Sequence, residues 1–445
     1  MHRVLPLCSI LSNPSDGQGG LVMDRAKFDV VIIGAGAGGL SAGAFLSRAG
    51  YKVLVTEQLP FVGGRGSSLE YKGFQVSTGA GGWLLALNEH IFDPLGVPFN
   101  VRIPEVNSAY YIKGKCYEVP NTGKLRAALK IAAGDKEADN VMRALKKAFT
   151  WELPSDKISL RDWLLQYTKS EEAIGVVNAN WQVTETGAGG TLELFKKMGS
   201  INFGFAINGN RSMWEVIADV IRANGGEVWT SARATKILIE DETVKGVLVT
   251  KNLLKKGEAQ VQIDAQAVIC NAGPYTTLKL GGEENFCQSH IKDVKETLKT
   301  FPWLAFQVSS SAPILPSSGI GFVSGSRIIN WLLSPTLLCP ELAPKGKHIT
   351  YVGAWIPANP PWNFSKYLEM AIQDVREIAP DYDKYVEEIL HVAYFIRQDW
   401  PMYRSYDGYS LSSSKTSVIN LYNAGDAVFP RGWSGQPGAA MSGRR

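Results

Sequence analysis

The stretch FDVVIIGAGAGG, residues 28–39, decides the fold of this chain. Its first six residues are almost all apolar or β-branched, which is typical of a parallel strand buried on both faces. The glycine-rich turn leads into an apolar segment, 40–49, that predicts a helix ending at Gly50. A second strand, 52–56, ends on Glu57. The order strand, GxGxxG, helix, strand, acid predicts a Rossmann-type unit that binds an adenine dinucleotide.

The residues of the glycine loop each have a physical task in such a site. Gly34 makes the tight turn, Gly36 lets the backbone approach a pyrophosphate, and Gly39 permits close packing of the helix on the strand. Ala35 and Gly38 complete the loop. The N–H groups of this loop, at the positive end of the helix dipole, would hold the phosphates.

The acid after the second strand would contact the ribose. Glu57 can accept hydrogen bonds from both ribose hydroxyls, and its charge would repel a 2′-phosphate. Gln58 follows it and is a further candidate contact. These residues alone leave both FAD and NAD open.

Two more glycine-rich segments favour FAD. In FVGGRG, residues 61–66, Gly64 allows the chain to turn across the cofactor, and the planar guanidinium of Arg65 could bridge phosphate oxygens. Near the other end of the chain a short apolar strand ends in Gly425 and Asp426. The Asp426 carboxylate can hold the ribityl hydroxyls of a flavin cofactor.

The GQPG turn at 435–438 opens a final helix. Its N-terminus would face the flavin edge where negative charge develops on reduction, which makes Gln436 and Pro437 candidate contacts. Trp433 precedes this turn and is a candidate neighbour of the flavin ring.

Residues 28–65 and 423–443 resemble the two-part FAD signature of the flavin amine oxidase and phytoene desaturase superfamily. Residues 208–226 are similar to its central segment, and VICNAGP, 268–274, to its strand-to-loop segment. The resemblance implies FAD as the cofactor.

Two further cofactor contacts come from this resemblance. It implies that a backbone group near Ala234 contacts adenine. It also places Asn271, inside the strand-to-loop segment, among the cofactor-binding residues.

The branch that contains phytoene desaturases, carotenoid isomerases and retinol saturases looks most similar. KGFQVSTG, 72–79, is similar to its Gly-aromatic-x-x-Asp-x-Gly segment, but Ser77 stands at the Asp position. Residues 343–348 and the GQPG turn also fit this branch. The resemblance implies an FAD-dependent desaturase, saturase or dehydrogenase acting on a carbon–carbon bond of an apolar, isoprenoid-type substrate.

Three alternative functions stay open. The first is a flavin amine oxidase. The amine oxidase branch often has a Lys near flavin N5, and the corresponding segment here, 300–307, has none, which counts against this alternative. A redox-silent isomerase and a non-catalytic, FAD-stabilised partner protein are the others, the last because the chain ends soon after its final helix begins. No catalytic residue is assigned, since Glu185, Arg211 and the histidines fit solvated or structural positions.

The predicted fold class is α/β, with an FAD-binding Rossmann-type domain interleaved with an α+β substrate domain. Residues 24–100, 205–275 and 415–445 would form the first, 101–204 and 276–414 the second, with 1–23 as a disordered extension. In the substrate domain we expect helices within 124–203 and over 368–378 and 385–396, and an antiparallel sheet from 303–308, 320–333 and 348–356. Its tryptophans could line an apolar tunnel or form ordinary core.

The composition excludes several classes. The 445 residues carry a net charge of +4 and no basic block, which argues against nucleic-acid binding. The five cysteines are scattered without CxxC spacing, so we expect no metal site and a reducing, cytoplasmic compartment. No apolar run reaches the ~18 residues that span a bilayer. A small apolar substrate leaves peripheral membrane contact open, and the oligomeric state is not predicted.

Overall fold

The computed structural model describes residues 24–180, 186–198, 202–252, 259–298, 302–357, 361–395, 413–428, 431–433 and 435–445. The expected N-terminal extension, 1–23, lies outside the described residues, as do Trp181, Glu185 and Trp400.

The strands of the described residues are, in chain order, β1 Asp24–Ile33, β2 Val53–Thr56, β3 Ser68–Tyr71, β4 Phe74–Ser77, β5 Trp83–Leu84, β6 Val101–Arg102, β7 Ser108–Ile112, β8 Lys115–Val119, β9 Phe203–Ala206, β10 Glu227–Trp229, β11 Ala232–Glu240, β12 Thr243–Lys251, β13 Ala259–Cys270, β14 Trp303–Ser310, β15 Ile320–Ser324, β16 Ile329–Leu333, β17 His348–Trp355, β18 Val386–Tyr394 and β19 Leu421–Asn423. The α-helices are α1 Ala37–Arg48, α2 Asp93–Leu95, α3 Lys124–Ala133, α4 Asp135–Thr150, α5 Leu160–Leu164, α6 Glu171–Asn180, α7 Ala188–Met198, α8 Asn210–Ala223, α9 Pro274–Gly281, α10 Gln288–Thr297, α11 Phe364–Ile378, α12 Tyr382–Tyr385 and α13 Gly435–Arg444.

The first sheet has the strand order β10-β2-β1-β13-β12-β11. Strand β1 lies in the middle and is parallel to both β2 and β13, as its continuous apolar run predicts. The far edge of β13 is shared: its first half pairs antiparallel with β12 and its end pairs parallel with β19. The carboxyl ends of β1 and β19 therefore lie on either side of β13. This brings the glycine loop after β1 and the glycine-rich segment after β19 to one edge of the sheet.

Helices α1, α8 and α13 pack on one face of this sheet. In α8 the buried residues Met213, Trp214, Ile217 and Ile221 follow helical spacing and form its inner face. Helix α13 lies against α1 at backbone distance, because a Cβ on Gly443 would come within 2.0 Å of the Gly38 carbonyl oxygen. Only glycine allows this contact.

The second sheet has the order β18-β14-β17-β16-β15-β7-β8 and is antiparallel except where β15 pairs with β7. Helices α3 to α7 bury their apolar faces against β7, β15 and each other, and α11 packs on the same sheet beside β16. The expected antiparallel strands within 303–308, 320–333 and 348–356 are confirmed.

The helix expected over 385–396 is wrong. Of its described residues, Tyr385 ends the short helix α12 and Val386–Tyr394 form strand β18, paired along the edge of β14. The apolar residues of this segment are spaced as in an amphipathic helix, but they also suit a half-buried strand. The open edge of β14 supplies backbone hydrogen-bond partners that periodicity alone does not reveal. The expected helix over 368–378 is confirmed as part of α11.

The predicted fold class is confirmed: a Rossmann-type α/β unit is interleaved with a second unit built on an antiparallel-rich sheet. The first sheet takes strands from three separate parts of the chain, 24–56, 227–270 and 421–423. The residue boundaries of the two domains stay a prediction. No helix among the described residues is long and apolar enough to cross a membrane.

Candidate dinucleotide site

The glycine loop joins β1 to α1. Gly34 has a φ of +97°, and its N–H donates to the Thr56 carbonyl oxygen at 2.7 Å, which ties the loop to the end of β2. Gly36 is the N-cap of α1 and makes no side-chain capping hydrogen bond. Because no side chain caps the helix, its first-turn N–H groups are available to a ligand phosphate.

Asn271 fills the space behind this loop. Its N–H donates to the Ile33 carbonyl oxygen at 2.8 Å, and its amide Nδ2 donates to the Gly34 carbonyl oxygen at 3.3 Å. A Cβ on Gly36 would lie 2.9 Å from Asn271 Nδ2, and one on Gly38 would lie 2.6 Å from its Oδ1. Asn271 therefore supports the glycine loop from β13, and the two glycines leave room for it.

Glu57 is buried at the end of β2 beside the same loop. Its Oε2 accepts from the Ala35 N–H at 2.8 Å and its Oε1 from the Leu59 N–H at 2.9 Å. The pKa of this carboxyl is raised, because burial outweighs the backbone hydrogen bonds that lower it. One of these hydrogen bonds comes from the backbone of Gln58. The Gln58 side chain itself is exposed.

Ala234 lies on β11, whose first residues are bound to the end of β2. The Ala232 N–H donates to the Glu57 carbonyl oxygen at 2.8 Å, and Thr56 Oγ1 donates to the Ala232 carbonyl oxygen at 2.7 Å. Ala234 follows two residues later and is buried. The structure therefore places it on the Glu57 side of the loop.

The second glycine turn folds back over the first. The Gly63 N–H donates to the Ala35 carbonyl oxygen at 2.7 Å, and Gly64 adopts a φ of +52°. Trp214 of α8 holds this turn in place, because its Nε1 donates to the Gly66 carbonyl oxygen at 2.9 Å. This turn directs Arg65 toward the C-terminal segment.

Arg65 meets Asp426. Its Nη1 and Nη2 donate to Asp426 Oδ2 and Oδ1 at 2.9 and 2.8 Å, a two-point ion pair. Asp426 retains 13% exposure and Arg65 31%. The sequence predicts that Arg65 contacts phosphate oxygens and that Asp426 contacts the ribityl chain. In the structure the two side chains pair with each other, and this pair connects the second glycine turn to the C-terminal segment.

Gln436 lies at the start of α13, close to the Arg65 turn. A Cβ on Gly66 would come within 2.6 Å of Gln436 Nε2. This Nε2 is buried and has no hydrogen-bond partner among the residues that the structure describes. A buried amide N–H without a partner is costly, so a ligand acceptor at this point would satisfy it. Pro437 beside it is buried.

The site residues fit an adenine dinucleotide. Uncapped helix N–H groups suit a pyrophosphate, Glu57 suits a ribose, and Arg65, Asp426 and Gln436 offer polar groups at the far end. Trp433, expected beside the flavin ring, packs its own ring edge-on against His90 with centroids 5.0 Å apart.

Sequence reasoning missed the contacts that join the glycine turn to the second sheet. Gln307 on β14 is buried; its Oε1 accepts from the Ser77 N–H at 2.9 Å and its Nε2 donates to the Ser77 carbonyl oxygen at 2.7 Å. Tyr351 on β17 donates its hydroxyl to the Gly79 carbonyl oxygen. Ala80 in turn donates its N–H to the Arg65 carbonyl oxygen at 2.9 Å. Segment 77–80 thus connects Arg65 to the sheet.

An aromatic stack lies on the same face of the second sheet. The rings of Trp303, Trp331 and Tyr351 stack on one another, with centroids 5.2 Å apart in the Trp303–Trp331 and Trp331–Tyr351 pairs and 6.3 Å apart in the Trp303–Tyr351 pair. Phe395 stacks on Trp303 at 5.3 Å, and a Cβ on Gly79 would meet its Cζ at 2.9 Å. The sheet therefore presents an apolar wall next to the Arg65 turn.

His391 and Arg211 are the remaining candidates. His391 pairs in register with Gln307, and burial lowers its pKa to about 4, so the ring is neutral near pH 7. Arg211 Nε binds Glu215 Oε1 at 3.3 Å on the outer face of α8. Arg211 is thus a surface residue, as its sequence context indicates.

Residues 32–95 match the NAD(P)-binding Rossmann-like domain family. An uncharacterized protein of Methanocaldococcus jannaschii is 26% identical over 423 residues, which cover 92% of this chain and 96% of the relative. An inactive all-trans-retinol 13,14-reductase of Danio rerio is 26% identical over 63% of this chain and 56% of its own length. A phytoene desaturase of Fusarium fujikuroi is 41% identical over 75 residues, 17% of this chain and 13% of that enzyme.

Two solved structures share the fold. An oxidoreductase from Methanosarcina mazei superimposes with a TM-score of 0.80 at 25% identity, covering 94% of this chain and 99% of that one. A putrescine oxidase variant has a TM-score of 0.68 at 16% identity, covering 94% and 98%. The chain therefore has a dinucleotide-binding Rossmann domain and the fold of this oxidoreductase group. The sequence resemblance to the desaturase and retinol saturase branch is confirmed.

Proposed function

We propose that this protein is an FAD-dependent oxidoreductase that acts on a carbon–carbon bond of an apolar, isoprenoid-type substrate. The observation that carries the proposal is the meeting of Arg65 and Asp426 between two glycine-rich segments. NAD would occupy only the glycine loop between β1 and α1. The C-terminal segment, with Asp426 and Gln436, provides polar groups for a longer, ribityl-linked cofactor. FAD, when bound, supplies two-electron chemistry by accepting a hydride from carbon or donating one to it.

The chain's own residues would bind and orient the cofactor. The first-turn N–H groups of α1 would hold the pyrophosphate and Glu57 the adenosine ribose. Asp426 would accept from the ribityl hydroxyls, and Gln436 would donate its buried N–H to the flavin edge.

The substrate would lie against the aromatic wall of Trp303, Trp331 and Tyr351. Strands β14, β16 and β17 carry no Asp, Glu, Lys or Arg, so these three strands place no charged carboxylate or amine beside the rings of the wall. Apolar contact and ring stacking favour a polyene over a charged substrate. The names of the relatives, a phytoene desaturase and an inactive all-trans-retinol 13,14-reductase, support the same substrate class.

Anaerobic incubation of the FAD-loaded protein with single isoprenoid polyenes tests the proposal. We expect the flavin absorbance band to bleach, with a product that has lost two hydrogen atoms. For a saturase, prereduced protein should instead regain the band as the substrate gains two. Putrescine and aromatic amines serve as controls and should release no peroxide. Reduction by amines but not by polyenes would contradict the proposal, and isomerised substrate without net redox change would favour a redox-silent isomerase.

A further inference from the structure

The outer face of α4 ends in a basic and aromatic patch. Arg143, Lys147 and Trp151 follow at intervals of four residues and therefore lie along one line of the helix, with Lys146 beside them. All four side chains are exposed, and Trp151 is 86% exposed. The opposite face, with Val141, Leu145 and Ala148, is buried in the core. We call these four exposed residues the α4 patch.

Two carboxylates flank the patch, Asp139 four residues before Arg143 and Glu152 directly after Trp151, and in the part of the chain that the structure describes neither forms an ion pair with a basic residue of the patch. Residues 140–151 contain three basic and no acidic side chains. Arg143 donates to Asn140 Oδ1 at 3.0 Å, and no ion pair joins Arg143, Lys146 or Lys147 to any carboxylate within the described ranges. The other end of α4 differs, because Asp135 and Asp139 there pair with basic residues of α3.

The position of Trp151 is fixed by the helix end. Its N–H donates to the Lys147 carbonyl oxygen at 3.0 Å, which makes it the C-cap of α4. A tryptophan with 86% exposure leaves most of a large apolar ring in water, whereas tryptophan is enriched at the boundary of headgroups and acyl chains. Among the described residues of α3 to α7, the other large exposed apolar side chain is Ile131 near the end of α3, beside the N-terminus of α4, so these residues form no broad apolar interface around Trp151.

We propose that the α4 patch docks the protein on a bilayer that contains anionic lipids. Arg143, Lys146 and Lys147 would contact phosphate headgroups, and the Trp151 ring would enter the interface. Phe149 contacts Phe195 of α7, and the loop after Trp151 carries Asp156, which binds Arg431 at 2.5 Å. The docked end of the helical unit is thereby connected to the cofactor-side loop. The inference does not depend on the proposed reaction, because lipid binding is measured without turnover.

Vesicle sedimentation tests the inference directly. The full chain should sediment with vesicles of phosphatidylcholine and phosphatidylglycerol at low salt, weakly with phosphatidylcholine alone, and less as salt is added. The double variant Lys146→Glu, Lys147→Glu should lower the partition coefficient roughly 30-fold or more. Trp151→Ser should lower it for both vesicle types.

Tyr51→Ala is the matched control, since it removes an aromatic side chain that is 50% exposed elsewhere on the surface and should leave sedimentation unchanged. All substituted residues are exposed, so the melting temperatures should stay close to that of the wild type. Wild-type protein that stays in the supernatant with every vesicle would overturn the inference. Equal sedimentation of the wild type and both patch variants would also overturn it.

Discussion

Arg65 and Asp426 are 361 positions apart in the sequence and form a two-point ion pair with N–O distances of 2.8 and 2.9 Å. Arg65 lies within the second glycine turn and Asp426 directly after Gly425, and both are at the same edge of the first sheet. The pair therefore marks the point where the two ends of the chain form one site.

Asp426→Asn should weaken FAD binding by tenfold or more, because a neutral amide is a poorer acceptor for ribityl hydroxyls than a carboxylate and carries no charge to pair with Arg65. The unfolding free energy should change by about 1 kcal/mol or less, since the pair is partly exposed. Fluorescence titration with FAD measures the first effect and urea unfolding the second. Glu341→Gln, which breaks the Arg102–Glu341 pair on the surface, is the control and should not alter FAD affinity.

Gly38→Ala should abolish FAD binding and destabilise the fold by roughly 1–3 kcal/mol, because the new methyl group overpacks the loop. Its Cβ would lie 2.6 Å from Asn271 Oδ1 and 2.9 Å from the Gly425 nitrogen. Gly50→Ala is the comparison: its Cβ meets nothing within 4 Å, and only the φ of +91° is unfavourable. That variant should lose about 1–2 kcal/mol and keep its FAD affinity. Similar FAD affinities in both variants would count against the packing described here.

Glu57 should make the stability of the cofactor-free protein pH-dependent. Burial raises its pKa in the folded state above the usual 4.5, so the native protein holds this proton more tightly than the unfolded chain. The resulting contribution is fully present below pH 4.5 and is lost as the pH rises through the raised pKa. Urea unfolding at a series of pH values should show this loss in the wild type and not in Glu57→Gln.

Glu369→Gln removes an exposed carboxyl on α11 and should reproduce the wild-type pH profile. An unchanged profile in Glu57→Gln would show that this carboxyl does not titrate differently on folding. The same variant should also bind FAD less tightly, since an amide accepts fewer ribose hydrogen bonds than a carboxylate.

Gln307→Ala should cost roughly 2–4 kcal/mol of unfolding free energy, because it leaves the buried Ser77 N–H and carbonyl without their partner. Thermal and urea unfolding measure this cost. Gln262→Ala, which removes a partly buried bond to Asp264, should cost about 0.5 kcal/mol or less. Equal losses of unfolding free energy in the two variants would mean that the hydrogen bonds of Gln307 to Ser77 stabilise the fold no more than the bond of Gln262 does.

Local sequence patterns were sufficient to place many residues of the candidate site. The GxGxxG loop, Glu57 and the Gly-Asp pair each rest on short-range spacing, and a buried parallel strand is readable from its β-branched run. The partner of Arg65 was not predictable in this way, because it depends on β19 joining β13 at the far end of the chain. The only sequence signal for the pair was that one glycine-rich segment contains a basic residue, Arg65, and another an acidic residue, Asp426.

Side chains that face each other across the two units were beyond sequence reasoning. Gln307 and Tyr351 lie on strands that look merely apolar, and their hydrogen bonds to Ser77 and Gly79 arise from tertiary packing. Strand β18 was mistaken for a helix for the same reason, since the edge of β14 decided its conformation.

Titration of the purified, cofactor-stripped protein with FAD and, separately, with NAD distinguishes an FAD site from an NAD site. We expect one FAD bound per chain, a flavin absorbance band that stays with the protein through gel filtration, and much weaker binding of NAD. Loss of the retained band in Asp426→Asn would tie it to the joined site. NAD binding as tight as that of FAD, or no retained flavin after titration, would contradict the account.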